Sequence, residues 1–481
     1  MKKRICLALL LVFVTVSCGP RKPKVALEIT NSENKIRPNI IIILIDDAGY
    51  SDFGFMGCKD LDTPNIDRLA KSGVVLTDAH VTATVCAPSR AGLITGKYQQ
   101  RFGFEANGTG NENTGIAGDI GLSDDVVTMA DVFKNNGYKT IALGKWHLGN
   151  NKSDHPNQRG FDEFYGFEVG SRSYFPIKNP RRGQMLQHNG QRVVFEGYLT
   201  DVLGDQSVKY IEENKDTPFF MYLAYNAVHT PMEAKKEHLD KYKNHPRQEL
   251  AAMTWSLDEN IGKLQDILKA LKIEEKTLIY FLSDNGGAAN NSSSSGPLKG
   301  WKGNKFEGGH RVPFVVSWPS VIKSNQTFTG LSSSLDIFTT SIAAAHIEKE
   351  NHLFLDGVNL LPYLKGEQTG NPHDKLFWRK LEESAARIGN YKLIRLENYG
   401  HTFYNLENDL GETINLTKKE NARFNTAINE LKAWETQLMK PLWVEERDWM
   451  DVTYHIHQRL MENKEALYKN PHMLKKFSVK K

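Results

Sequence analysis

The stretch Asn39-Ile40-Ile41-Ile42-Ile43-Leu44-Ile45-Asp46-Asp47 decides the fold. Its continuous apolar run, β-branched at every position but Leu44, suits a strand buried on both faces, and such strands lie at the centre of parallel sheets. The two aspartates sit where that strand ends, which is where ligands collect in α/β sheets. Working outward, Lys139–Leu143, Pro218–Ala224, Thr277–Ser283 and Pro313–Trp318 predict further strands. Between them, Thr63–Ser72, with Pro64 in its first turn, and Val126–Asn136 predict helices. From Leu250 the apolar residues Met253, Leu257, Ile261, Leu264, Leu268 and Leu271 recur at intervals of three and four, the period of an amphipathic helix. The alternation predicts an α/β fold with a mostly parallel central sheet flanked by helices. After about residue 373 the pattern changes. Leu376–Trp378, Ala385–Leu396 and His401–Leu406 read as short strands joined by turns, and Phe424–Gln437 as a helix. These residues predict a smaller C-terminal α+β subdomain with an antiparallel sheet. The reading divides the chain into an α/β catalytic domain at 38–372, the subdomain at 373–445 and a C-terminal extension at 446–481.

Composition narrows the function classes. With 40% hydrophobic and 25% charged residues, the 481-residue chain is neither mainly disordered nor collagen-like. Four cysteines are too few for a disulfide scaffold, and a net charge of +4 lacks the basic excess of a nucleic-acid binder. The N-terminus carries Lys2-Lys3-Arg4, the apolar run Ile5–Val16 and Ser17-Cys18, the pattern of a secretory signal. It resembles a bacterial lipoprotein cleavage site, with Thr15 where leucine is usual. The expectation is a signal peptide at 1–17 that takes Cys6 with it, lipidation of Cys18 as a membrane anchor, and a polar tether at 18–37. That places the protein in the periplasm, on the outer membrane or at the cell surface. A plain secreted protein and an uncleaved anchor are the alternatives.

Asp284-Asn285-Gly286 follows the strand Thr277–Ser283 as Asp46-Asp47 follows the first. Three carboxylates and an amide at two strand ends form a partial shell for a hard cation; a helix cap and an ordinary turn would look the same. Cys86-Ala-Pro-Ser-Arg90, continuing to Gly96, resembles the sulfatase maturation motif. The blocks Arg37-Pro-Asn-Ile to Asp52, Thr63–Ala70, Gly144-Lys-Trp-His-Leu-Gly149, Asn226-Ala-Val-His229-Thr-Pro, Ser283–Gly287, Leu298–Gly303 with Glu307-Gly-Gly309, and Phe403–Leu416 follow in that family's order. Over roughly residues 37 to 440 the chain resembles the formylglycine-dependent type I sulfatases of the alkaline-phosphatase-like superfamily.

The resemblance implies that a maturase oxidises Cys86 to formylglycine (3-oxoalanine), whose hydrate attacks sulfur. It implies one Ca²⁺ held by Asp46, Asp47, Asp284, Asn285 and the modified Cys86, and all-oxygen ligation favours calcium over zinc. Arg90 would reach toward the modified residue and the metal. Lys145 would bind sulfate, His147 would take the hydrate's proton, and His229 would protonate the leaving alcohol. Lys302 would bind sulfate and assist the leaving oxygen, with Lys299 as the rival lysine. If the chain after the strand stays extended, Lys145 and His147 point the same way.

The export signal suggests sulfated polysaccharide fragments as substrates, such as algal galactan, ulvan or glycosaminoglycan oligosaccharides. The segments Tyr98–Gly110 and Gly170–Gly190 carry Arg101, Arg172, Tyr174, Arg181, Arg182 and His188, which suit an anionic sugar. A phosphoryl- or phosphonyl-ester hydrolase of the same superfamily and a non-catalytic lipoprotein that binds sulfated glycans are the competing readings. Cys58 reads as an inert core or loop residue and Asp124-Asp125 as a helix cap, while Arg101, Trp301 and His310, next to motif residues, are open to two readings, lining of a substrate pocket or a core or surface role.

Overall fold

The computed structural model describes residues 37–108, 120–350 and 353–466. The signal segment with Cys6, the lipidation site Cys18, the tether up to residue 36, the last residues of the loop ending at Gly110, and the Lys-rich end from 467 lie outside the described residues. Among the described residues the strands are β1 (Asn39–Ile45), β2 (Val74–Leu76), β3 (Ala79–His80), β4 (Lys139–Lys145), β5 (Glu163–Phe167), β6 (Gln187–His188), β7 (Gln191–Arg192), β8 (Phe219–Ala224), β9 (Thr277–Ser283), β10 (Phe314–Ser317), β11 (Gln326–Phe328), β12 (Ser332–Ser333), β13 (Lys375–Lys380), β14 (Glu383–Ile388), β15 (Tyr391–Leu396) and β16 (Gly400–Asn405).

Ten of these strands form one sheet in the order β11-β2-β10-β9-β1-β8-β4-β5-β6-β7. The central strands β9, β1, β8, β4 and β5 are mutually parallel, so their carboxyl ends share one edge. β10 runs antiparallel to both neighbours, and β6 and β7 form an antiparallel hairpin on the far side. Strand alternation explains why β1 needs an unbroken apolar run. Ile40, Ile42 and Leu44 enter one core, and Ile41, Ile43 and Ile45 enter the other. The helix Gln248–Ala270 covers the second face with Leu250, Met253, Leu257, Ile261, Leu264 and Leu268, the residues whose spacing predicts it. No helix among the described residues is long and apolar enough to cross a membrane.

Two readings need local correction. The helix at Val126–Asn136 runs Met129–Asn135, and its cap is Thr128, not Asp124-Asp125. Thr128 Oγ1 accepts the Asp131 N–H while the Asp131 carboxylate accepts the Thr128 N–H, a reciprocal capping box. Asp124 instead lies 3.7 Å from Arg159, and Asp125 accepts from Ser123. The stretch Ala385–Leu396 is not one strand but a hairpin of β14 and β15 turning at Gly389-Asn390, with Gly389 at φ 52°, a left-handed conformation that glycine tolerates.

The C-terminal sheet is antiparallel in the order β13-β14-β15-β16. Its faces are covered by two helices rather than one. Ala427, Leu431 and Trp434 of the helix Asn421–Glu435 pack with Phe377, Ala386, Leu393 and Phe403. Val452, Ile456 and Leu460 of the helix Arg447–Met461 pack with Leu376, Trp378, Ile394 and Tyr404 on the other face.

Candidate active site

The sheet order delivers the polar residues. β9, β1, β8 and β4 are consecutive neighbours, and their carboxyl ends lead directly into Asp284-Asn285, Asp46-Asp47, Tyr225–His229 and Lys145–His147. The Asp47 N–H donates to Asp284 Oδ1 at 3.3 Å, and Asn285 Nδ2 donates to Asp47 Oδ1 at 2.7 Å. Asp46, Asp47, Asp284 and Asn285, far apart in sequence, therefore form one buried cluster.

Cys86 opens the helix Cys86–Thr95, so Arg90 lies one turn further along. The Cys86 Sγ is 3.6 Å from Asp46 Oδ1, 3.9 Å from Asp47 Oδ1 and 3.1 Å from Lys302 Nζ. Arg90 is fully buried; its Nε donates to Asp284 Oδ2 at 2.9 Å and its Nη1 to the Lys145 carbonyl at 2.9 Å. Lys145 Nζ lies 2.5 Å from Asp46 Oδ2. Lys302 Nζ lies 2.7 Å from Asp47 Oδ1, and His229 Nε2 lies 3.6 Å from Asp47 Oδ2. Asp46, Asp47, Asp284, Asn285, Cys86, Arg90, Lys145, His229 and Lys302 are therefore brought to one place. His147 arrives by a different route from the one expected: its φ of 59° ends the extended alternation after Lys145. The turn presses its ring so close to Gly170 that a Cβ there would lie 2.5 Å from His147 Cε1.

The geometry also separates Lys302 from Lys299. Lys299 Nζ donates to the Glu412 carbonyl at 2.9 Å and to Asn463 Oδ1 at 2.7 Å, away from the cluster. The Lys302 segment is pinned by its own N–H to the Gly287 carbonyl and by the Gly303 N–H to the Thr84 carbonyl. Glycine at 309 permits this, because a Cβ there would meet the Asn304 carbonyl oxygen at 1.9 Å.

Burial and charge set the protonation states. Burial pushes the Cys86 thiol up to about 12, with Asp284 and Asp46 adding to it against the pull of Lys145 and Lys302. Burial and the adjacent Asp46 lift the Asp284 carboxyl to about 6. Burial would also raise Asp47, but Lys302, His229 and Lys145 outweigh it and hold this carboxylate low. His229 is lowered to about 4 by burial and by Lys302 and Lys145. His147 is held well below its usual value by burial, Lys145, Arg90, Lys302 and His229, and its Nδ1 is buried without a hydrogen-bond partner. The carboxylate cluster fits a hard cation on its own evidence. The Asn285 Oδ1 is buried with no hydrogen-bond partner, and ligand atoms of Asp46, Asp47, Cys86 and His229 lie within 4.8 Å of one another.

Above this cluster opens a cavity of about 320 Å³. Asp47, His229 and Lys302 lie on its floor, and Trp301, Lys380, Glu445 and Trp449 line its wall. The latter part of that wall comes from the C-terminal sheet and from the segment read only as an extension. Most of the loop cations expected at a sugar site are used elsewhere. Arg101 is bound to Asp356 at 2.7 Å, and Arg172 is buried against Phe167 and Phe195. His188 lies 3.4 Å from Glu163. Tyr174 is fully buried, and its hydroxyl donates to the carbonyls of Asn226 and His229, fixing the turn that presents His229. Sequence reasoning also missed Asn291. Its Nδ2 donates to the Asp47 and Val228 carbonyls, so the low-complexity stretch Asn290-Asn-Ser-Ser-Ser-Ser-Gly296 is tied to the cluster. Only its low-complexity neighbours are visible in the sequence, and they carry no signal of this role.

Among the described residues His80, Glu307 and His310 form a second group with closely spaced ligand atoms. Those atoms are already engaged. His80 Nδ1 and His310 Nδ1 share a hydrogen bond at 2.9 Å, and His80 Nε2 faces Asp78 at 2.9 Å. Lys392 Nζ lies 2.8 Å from Glu307 Oε1 and 3.0 Å from His310 Nε2. With Arg311 and Arg387 also within 4 Å of Glu307, the group already holds its positive charge. It joins β15 to the body of the protein as a buried ionic contact.

The chain matches the Sulfatase family model over residues 38–347. It is 32% identical to the N-acetylgalactosamine-6-sulfatase of Sus scrofa over 377 residues, covering 74% of this chain and 71% of that one. It is 30% identical to the steryl-sulfatase of Homo sapiens over 425 residues, covering 71% and 72%. The solved structure of Ps i-CgsB in complex with k-i-k-neocarrahexaose superposes with a TM-score of 0.80 at 35% identity, covering 88% of this chain and 98% of that one. With the strand ends, the cysteine helix and the cation cluster on one edge of the sheet, these matches place the chain in the sulfatase family, as a type I sulfatase of the alkaline-phosphatase-like superfamily and a sulfuric ester hydrolase.

Proposed function

We propose that this sulfatase removes sulfate from sulfated oligosaccharides, algal galactans first among them, outside the cytoplasm, as an exported lipoprotein anchored at Cys18. The observation that carries the reading is the cavity, which has room for a sugar ring directly above the Cys86, Lys302 and His229 cluster. Likeness to a structure solved with a neocarrahexaose supports the substrate class.

As a thiol, Cys86 does not suit the reaction. With its pKa pushed up to about 12 it is protonated near neutrality, and a thiolate is what attacks. A formylglycine made from Cys86 by a maturase would supply a hydrated aldehyde that can both attack sulfur and later let it go. Asp46, Asp47, Asp284 and Asn285 would hold one Ca²⁺, which when bound supplies positive charge against the sulfate oxygens. Lys302 and Lys145 add fixed charge where the sulfate sits, in a buried setting where it counts more than in water. His229 Nδ1, 2.6 Å from the Thr230 carbonyl, carries the proton, which leaves Nε2 as the site that gains or gives one. An arriving sulfate raises its affinity for a proton, so that His229 can pass one to the departing oxygen. His147, kept neutral by its surrounding cations, is suited to accept a proton.

Free sulfate released from a panel of defined sulfated oligosaccharides tests the reading. Release from at least one galactan or glycosaminoglycan fragment is expected, with matched phosphate esters turned over more slowly. Turnover confined to small aryl or alkyl sulfates would overturn the glycan assignment.

The cation site has its own test. Ca²⁺ at about 100 times its Kd is expected to stabilise the fold by about 2.7 kcal/mol over the chelated protein. Thermal denaturation with EDTA and with added Ca²⁺ measures it. Asn285→Ala should lose most of that difference; an equal shift in the variant would remove Asn285 from the ligand set.

A further inference from the structure

The cavity wall away from the cluster has a chemistry that sulfate binding does not use. Trp301 and Trp449 line it, one from the segment that carries Lys302 and one from the helix Arg447–Met461, with the apolar Val452 and Ile456 beside them. The charged members of the wall are Lys380, at the end of β13, and Glu445, paired at 2.8 Å with side chains only 5% and 11% exposed. A buried pair of this kind has no net charge to offer an anion. It does present an ammonium donor and a carboxylate acceptor side by side. A sugar hydroxyl is both donor and acceptor and satisfies both at once. A sulfate ester carries acceptor oxygens only, and here it would meet the Glu445 carboxylate beside a lysine already neutralised. Indole surfaces complete the match, because a pyranose ring has apolar C–H faces and polar hydroxyl edges, the mixture that aromatic-lined pockets with few polar groups accept.

We propose, resting on the glycan reading above, that Trp301, Trp449 and the Lys380–Glu445 pair form a subsite for the sugar ring next to the one that loses its sulfate. The subsite takes that neighbouring ring with free hydroxyls and disfavours it when sulfated. The enzyme would then act where sulfates are sparse or already removed on one side, so the reaction that precedes it on a densely sulfated chain is another sulfate-ester hydrolysis.

Two measurements test this on the full chain. In the first, two disaccharides identical at the sulfate to be cleaved differ by one sulfate on the neighbouring ring. The second sulfate is expected to lower kcat/KM about 10-fold or more, a loss of about 1.4 kcal/mol, and Glu445→Gln should narrow the gap. In the second, an unsulfated galactan tetrasaccharide competes with a small aryl sulfate. Trp449→Ala should raise its inhibition constant about 10-fold, the lower range for loss of an aromatic platform. Equal kcat/KM on the two disaccharides, or a gap that Glu445→Gln leaves intact in a natively folded variant, would overturn the selectivity. If neither disaccharide is desulfated the glycan reading itself fails, and the inhibition arm then decides the subsite alone. Inhibition weakened in Trp449→Ala supports the subsite, and inhibition that is absent or unweakened overturns it.

Discussion

Cys86→Ala is expected to lower sulfate-ester turnover by about 10⁴-fold or more, the size of loss seen when a covalent nucleophile is removed. The fold should survive, because the change removes one sulfur atom from a site that the surrounding ion pairs still hold. A melting curve near that of the parent would separate lost chemistry from lost structure. The companion observation is the mass of the Cys86 peptide from the native host. Exchange of sulfur for oxygen with loss of two hydrogens makes it about 18 Da lighter than the cysteine form. Full activity with an unmodified thiol would sink the formylglycine mechanism, and full activity in Cys86→Ala would remove this residue from the reaction altogether.

The second large effect concerns stability. Lys392→Met should destabilise the protein by about 3 kcal/mol or more, because removing one member of a buried pair leaves the other charged and unsolvated. Lys392 lies 2.8 Å from Glu307 and 3.5 Å from Glu412, and all three side chains are fully buried. The two carboxyls respond oppositely. Burial would raise Glu307, but Lys392, His80, His310 and Arg387 outweigh it and hold it well below the usual range. Its contribution is present above the unfolded carboxyl value and is lost as pH falls through the lower folded one. Burial, with Glu307 adding to it, lifts Glu412 to about 7. Its contribution is present at low pH and is lost as pH rises through about 7. Glu412→Gln should therefore cost less at pH 8 than at pH 5, while Glu307→Gln is costly at both. Urea unfolding of the three variants at the two pH values checks this, and a Glu412→Gln penalty that grows with pH would reverse the assignment.

The central sheet was legible because buried parallel strands must be apolar on both faces, and β1, β8 and β9 announce that in their residues. The long helix was legible because its large apolar residues recur at intervals of three and four, even though the small and polar residues between them in its first half, such as Ala251, Ala252 and Thr254, are buried as well. Strands such as β2 and β6 were not, being two or three residues long with no period to detect. The helix Arg447–Met461 escaped because Trp449, Val452, Ile456 and Leu460 lie among charged residues close to a Lys-rich end. At the site, resemblance supplied the residues and the structure supplied their neighbours. No spacing shows that Tyr174 holds the His229 turn, or that Arg101 is taken by Asp356. Alignment on Gly303 and Glu307-Gly-Gly309 favours Lys302 over Lys299 in the sequence, and their different partners agree with it.

The burial of Cys86 also bears on when its proposed conversion to formylglycine could take place. Its side chain is 1% exposed, its sulfur is covered by Lys302, and the cavity that leads to it is walled by residues from the far end of the chain. An enzyme that oxidises this sulfur must grip the polypeptide around it, and the helix Cys86–Thr95 is buried along its whole length. On the proposed conversion of Cys86, the chance to modify the chain would close when the central sheet and the Lys302 segment come together, and the yield of working protein would be decided by a race between modification and folding.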